Sequence, residues 1–340
     1  MSGEVRKNIL VVKFSALGDV VHALPAVRVL KERHPHHRIV WVVRRGIEEL
    51  LKHVPFVDQV VAMSPGYKGF RQAVSRVRLE KPVMAFDFQG LMKSGLFAFL
   101  AGAPVRVGFH PRYAREPLAG WFVNNRVRVD PSSHVVEQLV TIASMGEEAA
   151  VPSFGLEVTT RYRERAVMAI RTSGINGPFV VLLPGAGWPT KKWPVEHYSW
   201  LAREALAHYN VPSLVLWGPG EEELVAPLRG KGHVRVAPST TIGEMMAVLE
   251  KALVVVGGDT GPLHIAAALG RPTLGLYGPT YPWRNGPYGN DSLVLEVSCP
   301  RKGCYRRKCR EECVASIPRE MVWDALKVVL EDELERQGKR

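Results

Sequence analysis

Apolar and polar positions along the 340-residue chain fall into blocks, with short β-rich runs followed by stretches of helical period. "NILVVKF" (8–14) is the first such run, and its largely continuous apolar character predicts a buried strand. "DVVHALPAVRVLKERHP" (19–35) follows, with Val20, Ala23, Leu24, Val27 and Leu30 on one helical face. Pro25 lies inside it, which predicts a kink or a helix that begins late. Further strands are expected at 38–44, 57–63, 82–88 and 105–109, with helices at 46–54, 68–80 and 90–102. Strands alternating with helices are the pattern of a parallel sheet.

The same pattern resumes after a segment at 147–178 that combines a connection with one amphipathic helix. Strands are expected at 179–185, 213–218, 234–237, 253–258 and 273–278, and helices at about 195–209, 221–229, 241–251 and 261–269. A long amphipathic helix over 318–340 closes the chain, and no strong internal repeat is visible. Two open α/β sheets joined by a linker are therefore expected. Ligands of such folds bind beyond the carboxyl ends of the strands, here in a cleft between the two sheets.

Composition narrows the class. Hydrophobic residues make up 46% and charged residues 23%, as in a soluble globular protein. The longest apolar stretch, "LFAFLAGAPVRVGF" (96–109), is broken by Gly, Pro and Arg and falls short of the roughly 20 residues of a membrane span. "MSGEVRKN" is a polar lead into a short strand and does not resemble a signal peptide, so a cytoplasmic protein is expected.

The formal net charge is +12, and residues 59–130 hold 11 Lys/Arg against 4 Asp/Glu. That excess points to an anionic partner: nucleic acid, a phospholipid surface or a phosphorylated glycolipid. A solvated basic surface without a partner is the plainer alternative.

Several strand ends carry candidate chemistry. In "VVKFSALGDVVHALPAV" (11–27) a small-residue loop ends in Asp19, either a helix cap or a carboxylate held for chemistry. "DFQGLMKSG" (87–95) offers Asp87, Gln89, Lys93 and Ser94 to a polyhydroxylated or anionic acceptor, or is simply a capped helix with one exposed lysine. "LLPGAGWPTKKWP" (182–194) joins a glycine-rich turn to Lys191 and Lys192, which suits phosphate, although a plain turn with exposed lysines reads the same way.

"VVVGGDTGPLHIAAALGRPTLGLYGPT" (254–280) brings Asp259, Thr260 and Gly261 to a helix start that carries His264. Free N–H groups, a hydroxyl and a carboxylate then meet above one strand end, unless Asp259 is only an N-cap and His264 only a buried histidine. Taken together, the two glycine-rich strand ends suit a nucleotide diphosphate and its sugar. The loop after the first strand, "SALGD", lacks the G-x-G-x-x-G of a dinucleotide fold, so dehydrogenase chemistry fits poorly.

Four cysteines, Cys299, Cys304, Cys309 and Cys313, cluster in a segment made very basic by Arg301, Lys302, Arg306, Arg307, Lys308 and Arg310. Their spacing allows zinc or an iron–sulfur cluster but is not the C-x2-C pairing of structural zinc sites. Reduced thiols on a basic lobe are the default in a cytoplasmic protein.

Four ordered stretches, "KFSALGDVVHALPA", "DFQGLMKSG", "PGAGWPTKKWP" and "GGDTGPLHIAAALGRPTLGLYGPT", span most of the chain and together resemble the ADP-heptose:lipopolysaccharide heptosyltransferases of glycosyltransferase family 9. The first two look most like heptosyltransferase I. The resemblance implies a GT-B fold, two Rossmann-like domains facing each other across a cleft. The expected domains are 1–160 for the acceptor and 161–317 for the ADP-sugar, with helix 318–340 packing back on the first.

The resemblance also implies an inverting transfer of heptose from ADP-heptose to Kdo-lipid A, with Asp19 as general base. It places Lys191, Lys192, Glu222, Asp259, Thr260, Gly261 and His264 at the donor, with Glu222 on the adenosine ribose. Gln89, Lys93, Arg112 and Arg115 are expected at the acceptor, and Arg44, Arg45, Lys68 and Arg71 on the same acceptor- or bilayer-facing surface. No cofactor or metal is implied, in line with the lack of an Asp-x-Asp pair. The expected location is the inner face of the cytoplasmic membrane, held peripherally, with no nucleic-acid partner. A heptosyltransferase II or III type acting on another core acceptor, or a nucleotide-sugar epimerase of the same fold, are the alternatives. A binding protein without catalysis, or a basic nucleic-acid binder, would need no turnover of an ADP-sugar.

Overall fold

A computed structural model describes residues 7–289, 291–299, 301, 303–309 and 313–338. The chain divides after Glu157 into two compact units. In unit 1, β1 (Asn8–Val12), α1 (Leu17–Arg33), β2 (Arg38–Arg44), α2 (Glu48–Leu51), β3 (Gln59–Met63), α3 (Gly66–Leu79), β4 (Pro82–Asp87), α4 (Met92–Leu100) and β5 (Val105–Phe109) follow the expected alternation. A 3-10 turn at Pro117–Trp121, a short strand β6 (Asn125–Val127) and α5 (Val135–Ala143) complete it. The six strands pair in parallel in the order β3-β2-β1-β4-β5-β6.

Unit 2 opens with α6 (Thr160–Thr172). It continues through β7 (Val180–Leu183), α7 (Val195–Tyr209), β8 (Ser213–Val215), α8 (Glu222–Val225), β9 (Val234–Val236), α9 (Ile242–Leu249), β10 (Val254–Gly258), α10 (Gly261–Ala268), β11 (Thr273–Tyr277), α11 (Pro282–Asn285), β12 (Ser292–Glu296) and α12 (Arg319–Gly338). Its sheet is also six-stranded and parallel, in the order β12-β11-β10-β7-β8-β9. Counted from each unit's first strand, the two orders are the same. In both, the order reverses between the first and fourth strands, where open α/β sheets bind ligands.

The aliphatic strands pack as continuous runs predict: Ile9, Leu10, Val11 and Val12 are fully buried, as are Val254, Val255 and Val256. The α1 helix differs from expectation. It begins at Leu17 and runs through Pro25 to Arg33 without a late start. Its five predicted face residues are buried, but so are Val21, His22, Ala26 and Val29. The opposite side is also covered, the His22 ring lying edge-on to His134 beside α5.

The closing helix was expected to pack back on the first domain, yet what buries its apolar side is the core of unit 2. Val322, Leu326 and Leu330 pack there with Trp193, Tyr198 and Leu201, and the Trp193 indole donates to the Ile317 carbonyl at 2.9 Å. Among the described residues no helix is long and apolar enough to cross a membrane.

Candidate functional site

In unit 2 the polar groups gather where β7 and β10 end. The glycines of β10 let the loop after β7 sit close, and Gly258 is the tightest: a Cβ there would stand 2.5 Å from the Lys191 carbonyl oxygen. The Pro189–Lys191 3-10 turn can therefore lie against the strand end. Asp259, the next residue, receives three groups. Lys191 Nζ donates to Oδ2 at 2.5 Å, the Thr280 hydroxyl donates to Oδ2 at 2.8 Å, and His264 Nε2 lies 3.0 Å from Oδ1. Lys191 Nζ also rests 4.4 Å from the Trp188 ring centroid.

Burial works against charge on Asp259. The hydrogen bond and charge of His264 and the charge and hydrogen bond of Lys191 outweigh it, so the carboxyl stays ionised well below the usual range. Asp259 is not the helix cap; Thr260 holds that position at the start of α10 with extended backbone. The Thr260 hydroxyl is buried and, among the described residues, has no hydrogen-bond partner, a condition that costs about 1–3 kcal/mol and suits a group reserved for a ligand. Gly261 opens the helix, whose N-terminal dipole and amides favour an anion. Lys192 is half-buried beside Lys191.

Of the expected donor residues, Lys191, Asp259 and His264 are joined directly, and Thr260 and Gly261 adjoin them at the helix start. Glu222 sits apart from these bonds, exposed in the first turn of α8. Its neighbour Glu221 is the carboxylate at the strand end. Its Oε2 accepts the Gly218 N–H at 2.8 Å, and its carboxylate fills the space a Cβ on Gly185 would need. Sequence reading missed Glu221, Thr280 and Trp188. Thr280 carried a signal, since it ends the neighbouring strand's loop "GLYGPT".

In unit 1 the loop after β1 carries Asp19, half-buried at the third position of α1. Its Oδ2 accepts the Ala16 N–H at 2.8 Å, so the carboxylate does cap the helix, and it does so through one oxygen. The loop is held from below by Gln89, whose side-chain oxygen accepts the Phe14 N–H at 3.0 Å and the Ser15 N–H at 3.4 Å. Gln89 was expected at the acceptor; it is buried, with its carbonyl turned to this backbone.

Asp87 is fully enclosed as well. Its Oδ1 accepts the N–H groups of Gln89 and Gly90 at 2.9 and 3.2 Å, and its Oδ2 accepts the Ser94 hydroxyl at 2.9 Å. Burial pushes its pKa up to about 6, against the opposing pull of those bonds and of nearby Lys13. Lys13 itself is buried and donates to the Phe88 carbonyl at 3.0 Å. Within "DFQGLMKSG" the capped-helix alternative describes Ser94, whose hydroxyl accepts the Leu91 N–H at 3.0 Å, while Asp87 holds the Gln89–Gly90 turn and Gln89 the loop after β1. Lys93 is exposed, its ammonium 5.6 Å from the Phe70 ring centroid, and Arg112 and Arg115 are exposed on the loop after β5.

The four cysteines remain thiols and line one cavity of about 410 Å³ beside Arg301 and Arg306. Burial, then the charges of the other three, push Cys313 up to about 11. Among the described residues no three His, Cys, Asp or Glu side chains are grouped to hold a metal ion. Within that segment Pro300, Lys302, Arg310, Glu311 and Glu312 lie outside the described residues.

Known proteins resemble this chain in sequence and fold. Residues 73–315 match the model of glycosyltransferase family 9 (heptosyltransferase). Lipopolysaccharide heptosyltransferase 1 of Pseudomonas aeruginosa is 30% identical over 89% of this chain and 87% of that protein. The Escherichia coli protein of the same name is also 30% identical, over 85% of this chain and 93% of its own. The solved structure of E. coli heptosyltransferase WaaC with ADP superposes with a TM-score of 0.77 at 26% identity, covering 95% of this chain and 99% of that one. The fold class implied by the sequence, GT-B with two Rossmann-like units, is the class these structures share.

Proposed function

The chain belongs to glycosyltransferase family 9, the heptosyltransferases, and from that premise we propose that it transfers L-glycero-D-manno-heptose from ADP-heptose to the Kdo-lipid A inner core of lipopolysaccharide. The observation that carries the reading is Asp259, kept ionised by Lys191 and His264 at the N-terminus of α10. A diphosphate finds there a cation, helix amides and the Thr260 hydroxyl, and the sugar hydroxyls find a carboxylate.

The transfer is a single displacement with inversion. The acceptor hydroxyl attacks the anomeric carbon, the bond to the diphosphate oxygen breaks, and Asp19 takes the hydroxyl proton through the oxygen its cap leaves over. Lys191 and the α10 amides meet the charge that builds on departing ADP. Lys192 adds a second cation to the diphosphate, and Glu222, or Glu221 beside it, holds the ribose. Lys93, Arg112 and Arg115 meet the acceptor's carboxylates and phosphates, while Gln89 acts through the loop it holds. No cofactor enters any step.

The test is ADP release from ADP-heptose with and without Kdo2-lipid A. Release that requires the lipid supports the reading. Release with other core acceptors only would move the activity to a heptosyltransferase II or III type, and an altered donor without transfer would indicate an epimerase.

A further inference from the structure

Five of the eight large apolar side chains that unit 1 leaves exposed among the described residues lie on two adjoining elements, α4 and the 3-10 turn at Pro117–Trp121. Met92, Phe99 and Leu100 fall on one face of α4, at i, i+7 and i+8. Leu118 and Trp121 project from the turn that α4 packs against. Trp121 is 75% exposed, Phe99 51% and Leu118 46%, values that nothing in the packing of unit 1 requires. The two elements are held as one surface. The Phe99 ring lies 6.2 Å from that of Phe122, just past the turn, and the Arg106 guanidinium sits 5.3 Å above Phe99 while donating to the Phe122 carbonyl at 2.7 Å.

Charge around this surface is of one sign. Residues 91–129 contain six cations, Lys93, Arg106, Arg112, Arg115, Arg126 and Arg128, and a single acid, Glu116. Glu116 is occupied, its Oε2 accepting the Met92 N–H at 2.8 Å at the start of α4. A second copy of the same face would set six cations against six. A nucleic acid would answer the arginines but leave Met92, Leu100 and Leu118 with nothing to bury against. An anionic bilayer answers both, since phosphates meet the arginines and the acyl boundary takes the apolar side chains.

We propose that the surface of α4 and the Pro117–Trp121 turn docks unit 1 on an anionic phospholipid bilayer. Trp121, Leu118 and Phe99 enter the headgroup boundary, where an aromatic ring with one polar edge is at home. The proposal deepens the function given above and rests on it only in taking the acceptor to be a lipid; vesicle binding does not require transfer.

The experiment uses the full chain with phosphatidylcholine vesicles, with and without phosphatidylglycerol. Sedimentation with the anionic vesicles is expected for the wild type, and partitioning about tenfold weaker for the double variant Leu118→Ser/Trp121→Ser. Turnover on Kdo2-lipid A in those vesicles should fall alongside, while the KM for ADP-heptose and turnover on a de-acylated, water-soluble Kdo acceptor stay unchanged. An unchanged melting temperature shows that the variant folds. Equal vesicle binding by the variant and wild type overturns the proposal, as does a wild-type dimer that the double substitution converts to monomer. Vesicle binding lost in the variant while the wild type releases no ADP from ADP-heptose would support the docking surface and remove the transferase reading.

Discussion

Lys191 Nζ stands 2.5 Å from Asp259 Oδ2, a bond that ties the loop after β7 to the loop after β10, neighbours at the centre of the second sheet. The pair is nearly enclosed, with side chains 13% and 11% exposed. A cation already fixed beside the helix start needs no reorganisation when charge develops on a leaving diphosphate.

Substituting Lys191→Met should lower turnover by about 10²-fold through the lost countercharge. It also leaves a buried carboxylate without its lysine, which should cost about 3 kcal/mol of stability. Turnover and the denaturation midpoint measure the two effects separately. A variant with wild-type turnover would take Lys191 out of the mechanism.

Asp19→Asn keeps an oxygen that can accept the Ala16 N–H, so the cap survives while the base is lost. Turnover should fall roughly 10²–10⁴-fold with ADP-heptose binding unchanged. Asp19→Ala should lose the cap as well, at about 1 kcal/mol of stability. Near-normal turnover in the asparagine variant would leave Asp19 with capping alone.

Asp87 gives a pH signature of a stated sign. Its folded pKa, pushed up to about 6, lies above the roughly 3.9 of an unfolded aspartate, so its stabilising contribution is complete at low pH and is lost as pH rises through 6. The stability difference between wild type and Asp87→Asn should therefore shift by about 2–3 kcal/mol between about pH 4 and pH 7, against the wild type as pH rises. Asp259 works in the opposite sense: its contribution is present above the ordinary carboxylate pKa and is lost only in stronger acid. Denaturant titrations at several pH values test this, and a flat difference would place the ionised form of Asp87 in both states.

Gly258→Ala sets a methyl group 2.5 Å from the Lys191 carbonyl oxygen, a contact backbone cannot relieve by rotating a side chain. The Lys191 turn should move, with a loss of about 1–3 kcal/mol in stability and weaker ADP binding by calorimetry. Wild-type ADP affinity in this variant would uncouple the turn from the strand end.

The alternation of aliphatic runs with helical stretches made most strands and the parallel sheets legible in the sequence. The strands β6 and β12 escaped notice because β6 is three residues with a single apolar one, Val127, and β12 has none of its five residues buried, so neither reads as an aliphatic core run. The pattern of α12 shows that one side is buried but not which core receives it. At the sites, two glycine-rich strand ends suggested a diphosphate, and the family resemblance put Asp259, His264 and Lys191 in one group. It could not separate Glu221 from Glu222, since only folding brings the first against Gly185. Nor could it show that Asp87 faces inward, because the turn at Gln89 and Gly90 directs their amides onto it.

The shared strand order has a consequence for how the two halves divide their labour. In each, a lysine and an aspartate gather near the ends of the two central strands, though at different positions: Lys13 directly after β1 with Asp87 closing β4 in one, Lys191 in the 3-10 turn beyond β7 with Asp259 directly after β10 in the other. The first half has sealed its pair inside as an anchor beneath a working loop. The second joins its lysine and aspartate directly beside the start of α10, so like-ordered sheets carry a foundation at the strand ends of one half and, on the proposed function, a tool at those of the other.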